Sequence, residues 1–174
     1  MLQSVIDHAD VETFNYPVLD VDRHLVHYQS WAGIEIDGEQ RKSGYYTHWA
    51  RYLGLLPQLE LTTLVHLLNT INNSKTPSKF AFLCSEQFLL NQETLAQLYF
   101  QLNMNRDAAK QLCIEVREST ATRYPQEFEL LSSTLKAIGC QIGLKRVGES
   151  FSQLKRVQEM GLNYVKIDSA FMAD

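Results

Sequence analysis

The sequence predicts an α/β fold with a mainly parallel sheet and an antiparallel hairpin at its front. From residue 79 onward, short apolar segments alternate with segments of helical periodicity, which is the pattern of repeated strand–helix units. Before them, two strand-like segments flank a polar turn. The chain has 174 residues, of which 45% are hydrophobic, so it has the length and composition of a single domain with its own core.

The first half of the chain predicts two strands and then two helices. Residues 13–20 and 24–32 have strand character, and residues 33–44 form a polar connection. Gly54 and Pro57 then mark the end of one helix and the start of the next. The residues that carry the two helical periodicities are Tyr45, Trp49, Tyr52 and Leu53, followed by Leu61, Leu64, Val65, Leu68 and Ile71.

The second half alternates between strands and helices. The predicted strands are residues 79–84, 111–116, 140–145 and 163–168, and the predicted helices are residues 93–102, 125–138 and 150–160. Gly139 and Gly161 follow the last two helices, where C-terminal caps are common. Because consecutive parallel strands need a crossover connection, these helices are expected to pack outside a parallel sheet.

Composition excludes several classes of protein. A net charge of -4 and a pI near 5.7 argue against a nucleic-acid-binding surface. The longest apolar run is shorter than the ~18 residues of a membrane span, and the first ten residues lack the features of a signal peptide. The cysteines Cys84, Cys113 and Cys140 are odd in number and contain no CxxC pair, so we expect free thiols in a reducing, cytoplasmic compartment. The five histidines show no zinc spacing and are expected at the surface or in the core.

Chemistry in a parallel α/β fold gathers at the carboxyl ends of the strands. A single lysine or carboxylate there usually forms an ion pair or caps a helix, whereas several that converge favour a site. The set includes more cations than a metal site tolerates. Its members are Leu83, Cys84, Glu115, Arg117, Glu118, Lys145, Arg146, Lys166 and Asp168.

Several blocks of the sequence resemble EAL domains, and they occur in the order found in that family. The blocks are residues 112–119 (LCIEVRES), 135–148 (LKAIGCQIGLKRVG) and 161–168 (GLNYVKID), together with residues 44–56, which match a helix that enters an aromatic and GLI-type stretch. EAL domains are (β/α)8-barrel phosphodiesterases that linearise the bacterial second messenger cyclic di-GMP. The resemblance implies an EAL-type, TIM-like barrel over residues 1–174. Since a full barrel has ~250 residues, it also implies an incomplete domain that stops after its sixth parallel-type strand.

The sequence departs from the family at the positions that would hold metal. The family uses two divalent cations, magnesium or manganese, held by carboxylates and an asparagine amide oxygen. By the resemblance, Gln29 replaces the signature glutamate, Leu83 replaces the asparagine, and Lys145-Arg146 replace two aspartates. Two positive charges ~4 Å from a divalent cation would repel it. We therefore expect no metal, no cofactor and no catalytic residues.

These departures are similar to the catalytically inactive receptor type of the family. The resemblance implies a cyclic di-GMP receptor or sensor that relays its signal through protein contacts. The candidate ligand-binding residues are Gln29, Glu115, Lys145, Arg146, Lys166 and Asp168. One family contact is missing, because Gly33 stands where the family has an arginine that contacts phosphate.

Two alternatives to the receptor stay open. The first is a ligand-free interaction or dimerisation module, and the second is an active phosphodiesterase. The expected partners are cyclic di-GMP and a protein, which includes a second copy that exchanges strands at an open barrel edge. Nucleic acid and membrane are not expected partners of this chain. The expected location is the cytoplasm, either alone or as the cytoplasmic part of a membrane-anchored receptor.

Overall fold

Repeated strand–helix units build one seven-stranded sheet in a computed structural model that describes residues 1–148 and 161–171. The strands are β1 Val11–Leu19, β2 Leu25–Ile36, β3 Glu39–Lys42, β4 Phe80–Leu83, β5 Leu112–Arg117, β6 Gln141–Val147 and β7 Tyr164–Ile167. The helices are α1 Leu2–His8, α2 Ser43–Tyr52, α3 Leu56–Asn73, α4 Glu86–Leu90, α5 Gln92–Met104, α6 Arg106–Ala109, α7 Glu118–Arg123 and α8 Pro125–Ile138, and a 3-10 helix spans Ser169–Phe171. The predicted helix 150–160 lies outside the described residues.

The predicted fold class is confirmed. The strand order is β1-β2-β4-β5-β6-β7, and β2, β4, β5, β6 and β7 are parallel. β1 and β3 both pair antiparallel with β2, on its two opposite edges. The sequence-based count of six parallel-type strands included β1, so the part of the chain that the structure describes has five parallel strands.

The polar connection predicted after the second strand is itself a hairpin. β2 continues to Ile36 and turns at Asp37 and Gly38, which have φ angles of 53° and 76°. Asp-Gly is the sequence favoured in such two-residue turns, because both positions need positive φ. The hydrophobic pattern does not predict this hairpin, because the short strand β3 consists of charged and polar residues. α1 was also not predicted; its Leu2 and Val5 pack into a small second core.

Side chains alternate between the two faces of the sheet along each parallel strand, so the core lies on one face and the candidate ligand-binding residues lie on the other. Ile114 and Val116 of β5 are fully buried in the main core under the helices, whereas Glu115 between them points to the opposite face. On β6, Leu144 lies in the same core and Lys145 follows it. The three cysteines are buried and free, as predicted. Within the described ranges, no helix is long and apolar enough to cross a membrane.

Gly33 permits a close approach between β1 and β2. A Cβ atom at this position would lie 2.3 Å from Cε2 of Phe14. Phe14 stands opposite Trp31 in the antiparallel register, so its ring leans diagonally over Gly33. The ring therefore occupies the space that any side chain at position 33 would need.

We expect Gly33→Ala to lower the free energy of unfolding by about 1–3 kcal/mol, because the Phe14 ring must move. Urea denaturation measures the change. Gly44→Ala is the matched control, since nothing lies within 4 Å of a Cβ at Gly44, which is in α2. Alanine there should leave stability unchanged or raise it by about 0.5–1 kcal/mol. Equal stability of the two variants would contradict the packing described for Phe14.

Candidate ligand-binding site

Side chains from four strands converge on the face of the sheet opposite the helices. β2 contributes Gln29, β5 contributes Glu115, β6 contributes Lys145 and β7 contributes Lys166. The parallel register places Lys145 beside both Lys166 and Arg117. Residues that are far apart in the sequence are brought together in this way, as the sequence predicted for the strand ends.

A buried ion pair lies at the centre of this face. Lys166 Nζ is 2.6 Å from Glu115 Oε1, and Glu115 has no exposed surface. The same ammonium donates to Gln29 Oε1 at 2.5 Å. Gln29 Nε2 in turn donates to the carbonyl oxygen of Ala81 at 3.1 Å, which fixes the amide orientation. Three of the predicted site residues thus form one hydrogen-bonded cluster, in which the Lys166 ammonium neutralises the buried carboxylate of Glu115.

Tyr164 and His27 complete the cluster. The Tyr164 hydroxyl donates to Glu115 Oε1 at 2.8 Å. Its ring fits because position 143 is glycine, where a Cβ would lie 2.9 Å from Tyr164 Cε2. The His27 ring stacks on Tyr164 with centroids 5.4 Å apart. Burial raises the pKa of Tyr164, and burial together with the Lys166 cation lowers the pKa of His27, so both groups are neutral at neutral pH.

Sequence reasoning missed Tyr164 and His27, although strand alternation contains the signal. Each lies two residues before a predicted site residue on the same strand, Tyr164 before Lys166 and His27 before Gln29. Residues two apart in a strand share one face. The same rule finds Trp31, two residues after Gln29.

The adjacent cations Lys145 and Arg146 point to different partners. Lys145 Nζ lies 4.8 Å from the centroid of the Trp31 ring. Arg146 has a φ angle of 58°, at an irregularity in the β6–β7 register, and its Nε is 3.8 Å from Asp168 Oδ2. The Arg146 side chain is 58% exposed, so this pair adds only ~0–1 kcal/mol to stability. Burial lowers the pKa of Lys145, and the cations of Lys166 and Arg146 lower it further while Glu115 opposes them.

Glu118 serves as a structural anchor. One of its carboxylate oxygens accepts a hydrogen bond from the backbone N–H of Gly148 at 3.0 Å. Gly148 has a φ angle of 140°, a region that favours glycine. The contact joins the start of α7 to the end of β6, so Glu118 anchors the strand that carries Lys145 and Arg146.

A cavity of about 540 Å³ adjoins the cluster between the strand ends and helices α2 and α3. Trp31 and Leu83 line it, and Leu83 offers no ligand atom. Glu60 of α3 also lines it and accepts bonds from the Ser85 backbone N–H at 3.1 and 3.2 Å and from the Ser85 hydroxyl at 2.8 Å. Burial raises the pKa of Glu60 to about 8, partly opposed by the bonds from Ser85.

The residues around Glu115 do not suit a divalent metal ion. Its Oε1 is engaged by Lys166 and Tyr164, and Lys145 and Lys166 leave the immediate surroundings with more positive than negative charge. Hard cations require several free oxygen ligands of net negative charge. In the described ranges, three metal-ligand side chains come within 4.8 Å of one another only at Asp20, Asp22 and His24. This exposed group lies at the opposite end of β2, and Asp20 Oδ1 already accepts two backbone N–H groups of the turn.

We expect Lys166→Met to lower the free energy of unfolding by about 3–5 kcal/mol, because it leaves a buried carboxylate without its counter-charge. The double variant Lys166→Met/Glu115→Gln removes both charges and should recover most of that loss. Urea denaturation of both variants measures the difference. If the single and the double variant are equally destabilised, Lys166 does not compensate Glu115.

Glu60 predicts a pH dependence of stability. Its pKa rises from an ordinary value of 4.5 to about 8 on folding, so the folded protein binds this proton more tightly than the unfolded chain. The resulting stability is full below pH 4.5 and is lost as the pH rises towards 8. As the pH rises from 4.5 to 8, the free energy of unfolding of the wild type should therefore fall relative to that of Glu60→Gln, by at most about 1.4 kcal/mol per pH unit. A pH-independent difference between the two proteins would contradict the burial of a titrating carboxyl here.

Comparison with known proteins agrees with the resemblance seen in the sequence. The family model of the EAL domain matches residues 12–174. The Escherichia coli K12 cyclic di-GMP phosphodiesterase PdeF is 25% identical over 132 residues, which is 71% of this chain and 17% of PdeF. The probable cyclic di-GMP phosphodiesterase PdeI of the same organism is 33% identical over 66 residues, 38% of this chain and 8% of PdeI. The chain thus spans less than a fifth of either relative.

Solved structures share the fold. The S helix-GGDEF-EAL portion of Vibrio cholerae LapD, bound to cyclic di-GMP, superposes with a TM-score of 0.89 at 15% identity, covering 99% of this chain and 43% of that one. The FimX EAL domain from Pseudomonas aeruginosa, also bound to cyclic di-GMP, gives a TM-score of 0.85 at 20% identity, covering 99% of this chain and 72% of that one. These structures show that the fold is shared, and because the EAL family model matches residues 12–174, the chain belongs to the EAL domain family.

Proposed function

We propose that this EAL domain is a non-catalytic receptor for cyclic di-GMP. The observation that carries the proposal is the Lys166–Glu115–Gln29 cluster. In it the Lys166 ammonium lies between Oε1 of Glu115 and Oε1 of Gln29. A site built in this way has no need of a metal ion. The proposal takes residues 1–174 as a single EAL domain that acts in the cytoplasm without a cofactor.

The lack of hydrolysis follows from the same cluster. Attack on a phosphodiester at neutral pH needs a metal-bound water whose pKa has been lowered. Leu83 and Gln29 supply no negative charge, and Lys145 adds a positive one beside Lys166. Lys166 and Tyr164 both engage Oε1 of Glu115, so among the described residues only its Oε2 is left without a hydrogen bond, which is too few oxygen ligands for a divalent cation. The phosphodiesterase activity stated for PdeF therefore does not extend to this chain in our proposal.

The cations on this face support ligand binding. LapD and FimX were solved with cyclic di-GMP, whose two phosphodiester groups are anionic. Lysine and arginine side chains bind phosphate directly through charge-assisted hydrogen bonds. The register brings Arg117, Lys145 and Lys166 together on one face of an otherwise acidic protein. That local excess of positive charge suits a dianionic dinucleotide.

A relay through protein contacts is supported by the outer face of α2. Tyr45, Trp49 and Tyr52 lie on this helix and are 59%, 61% and 80% exposed. Large exposed aromatic side chains in one patch are typical of protein-binding surfaces. The same observation favours the second candidate function, a protein-interaction or dimerisation module that has lost the ligand.

Isothermal titration of the chain with cyclic di-GMP should show binding that is independent of magnesium, and no linear product should form during incubation. Lys145→Asp/Arg146→Asp is expected to weaken binding by about tenfold or more, because two attractive charges become repulsive. Arg23→Asp/Lys75→Asp makes the same change in net charge at exposed positions before the amino ends of β2 and β4 and should bind like the wild type.

Each result separates the candidates. No heat of binding would overturn the receptor function and leave the interaction module. Linear product that depends on magnesium would establish an active phosphodiesterase. Unchanged affinity of the Lys145→Asp/Arg146→Asp variant would remove these two residues from the site.

A further inference from the structure

Two lysine ammonium groups near the cluster contact aromatic rings. Lys42 Nζ lies 5.1 Å from the centroid of the Tyr16 ring and 5.6 Å from that of Phe14, and it donates a hydrogen bond to the Tyr16 hydroxyl. Lys145 Nζ lies 4.8 Å from the centroid of Trp31. Over residues 1–148 and 161–171, neither ammonium has a carboxylate oxygen within 4.0 Å. Both charges are thus held in place without an anion from the described chain.

The position of Lys42 depends on Gly33. Gly33 pairs with Glu12 of β1 on one edge of β2 and with Lys42 of β3 on the other edge. To reach Tyr16 and Phe14 on β1, the Lys42 side chain must pass over β2 at Gly33. A side chain at position 33 would collide with Phe14, whose ring the Lys42 ammonium contacts.

The aromatic rings of Phe14, Tyr16 and Trp31 lie next to the ion pair between Lys166 and Glu115. Phe14 stands directly opposite Trp31, and Tyr16 stands directly opposite Gln29, which binds Lys166. Tyr16 is 42% exposed and Trp31 is 38% exposed, so both rings are accessible from solvent. Exposed aromatic faces beside lysine ammonium groups are the combination that proteins use to stack nucleobases and bind their phosphates.

We propose that Lys42 binds a phosphate of the ligand in place of the arginine that Gly33 lacks, and that the neighbouring exposed rings of Tyr16 and Trp31 stack a base. This inference rests on the proposed function, since the ligand is the same cyclic dinucleotide. It moves one phosphate-binding charge from β2 to β3. The hairpin at residues 36–39 is what brings β3, and with it Lys42, to the site.

The first test compares affinities for cyclic di-GMP by calorimetry. Lys42→Ala should bind about tenfold or more weakly than the wild type, because a charge-assisted hydrogen bond to phosphate is lost. Lys42→Arg keeps the cation and should recover most of the affinity. Lys75→Ala removes an exposed lysine from a loop at the other end of the strands and should change nothing.

The second test keeps Lys42 intact and so does not depend on how that variant folds. The chain has two tryptophans, Trp31 in β2 and Trp49 on α2. In Trp49→Phe, cyclic di-GMP should change the emission of the remaining Trp31. In Trp31→Phe, where Trp49 is the tryptophan that remains, the same titration should give a smaller change in emission.

The outcomes distinguish this inference from the proposed function. If the wild type binds but Lys42→Ala binds equally well, or Trp31 emission does not respond, the inference is overturned and the receptor function stands. If the wild type binds no cyclic di-GMP, the proposed function is overturned and this inference with it.

Discussion

The buried ion pair between Glu115 and Lys166 is the interaction on which the rest of the site depends. A carboxylate with no exposed surface needs a counter-charge and hydrogen-bond donors, and β7 supplies both through Lys166 and Tyr164. Gly143 makes room for the tyrosine ring, and Gln29 takes up a second bond of the ammonium. On the face of the sheet opposite the helices, the charges of Glu115 and Lys166 therefore balance at the centre. Around them the face is cationic, with the ammonium groups of Lys42 and Lys145 in contact with aromatic rings.

Local patterns in the sequence predict the parallel sheet and most of the candidate residues, because both depend on alternation within a strand. Glu115 between two core residues and Lys166 near the end of the last described strand are examples. Lys166 pairs with Glu115 and not with Asp168, which is only two residues away in the sequence. This pairing could not be predicted, because it depends on the register across three strands. The sequence also shows Lys145 and Arg146 as one basic pair, whereas a positive φ at Arg146 sends them to different partners.

Charged segments are the hardest to assign from the sequence alone. β3 consists of Glu39–Lys42, and no apolar periodicity marks it as a strand. Its role is nevertheless central to the site, since it carries Lys42 to the edge of β2. Glu60 was similarly invisible, because on a helical wheel it is one more polar residue. Only the structure shows that both its oxygens accept bonds from Ser85, which caps α4, so that α3 is tied to the end of β4.

The contact between Phe14 and Gly33 restricts the order in which this protein could evolve. An arginine at position 33, the residue that the family resemblance implies there, would collide with the Phe14 ring that the Lys42 ammonium contacts. A smaller residue at position 14 would have to come first, and it would remove an aromatic contact of Lys42. Each single step is therefore unfavourable by itself. Positions 14, 33 and 42 are therefore coupled, so that any side chain at position 33 requires a compensating change at position 14.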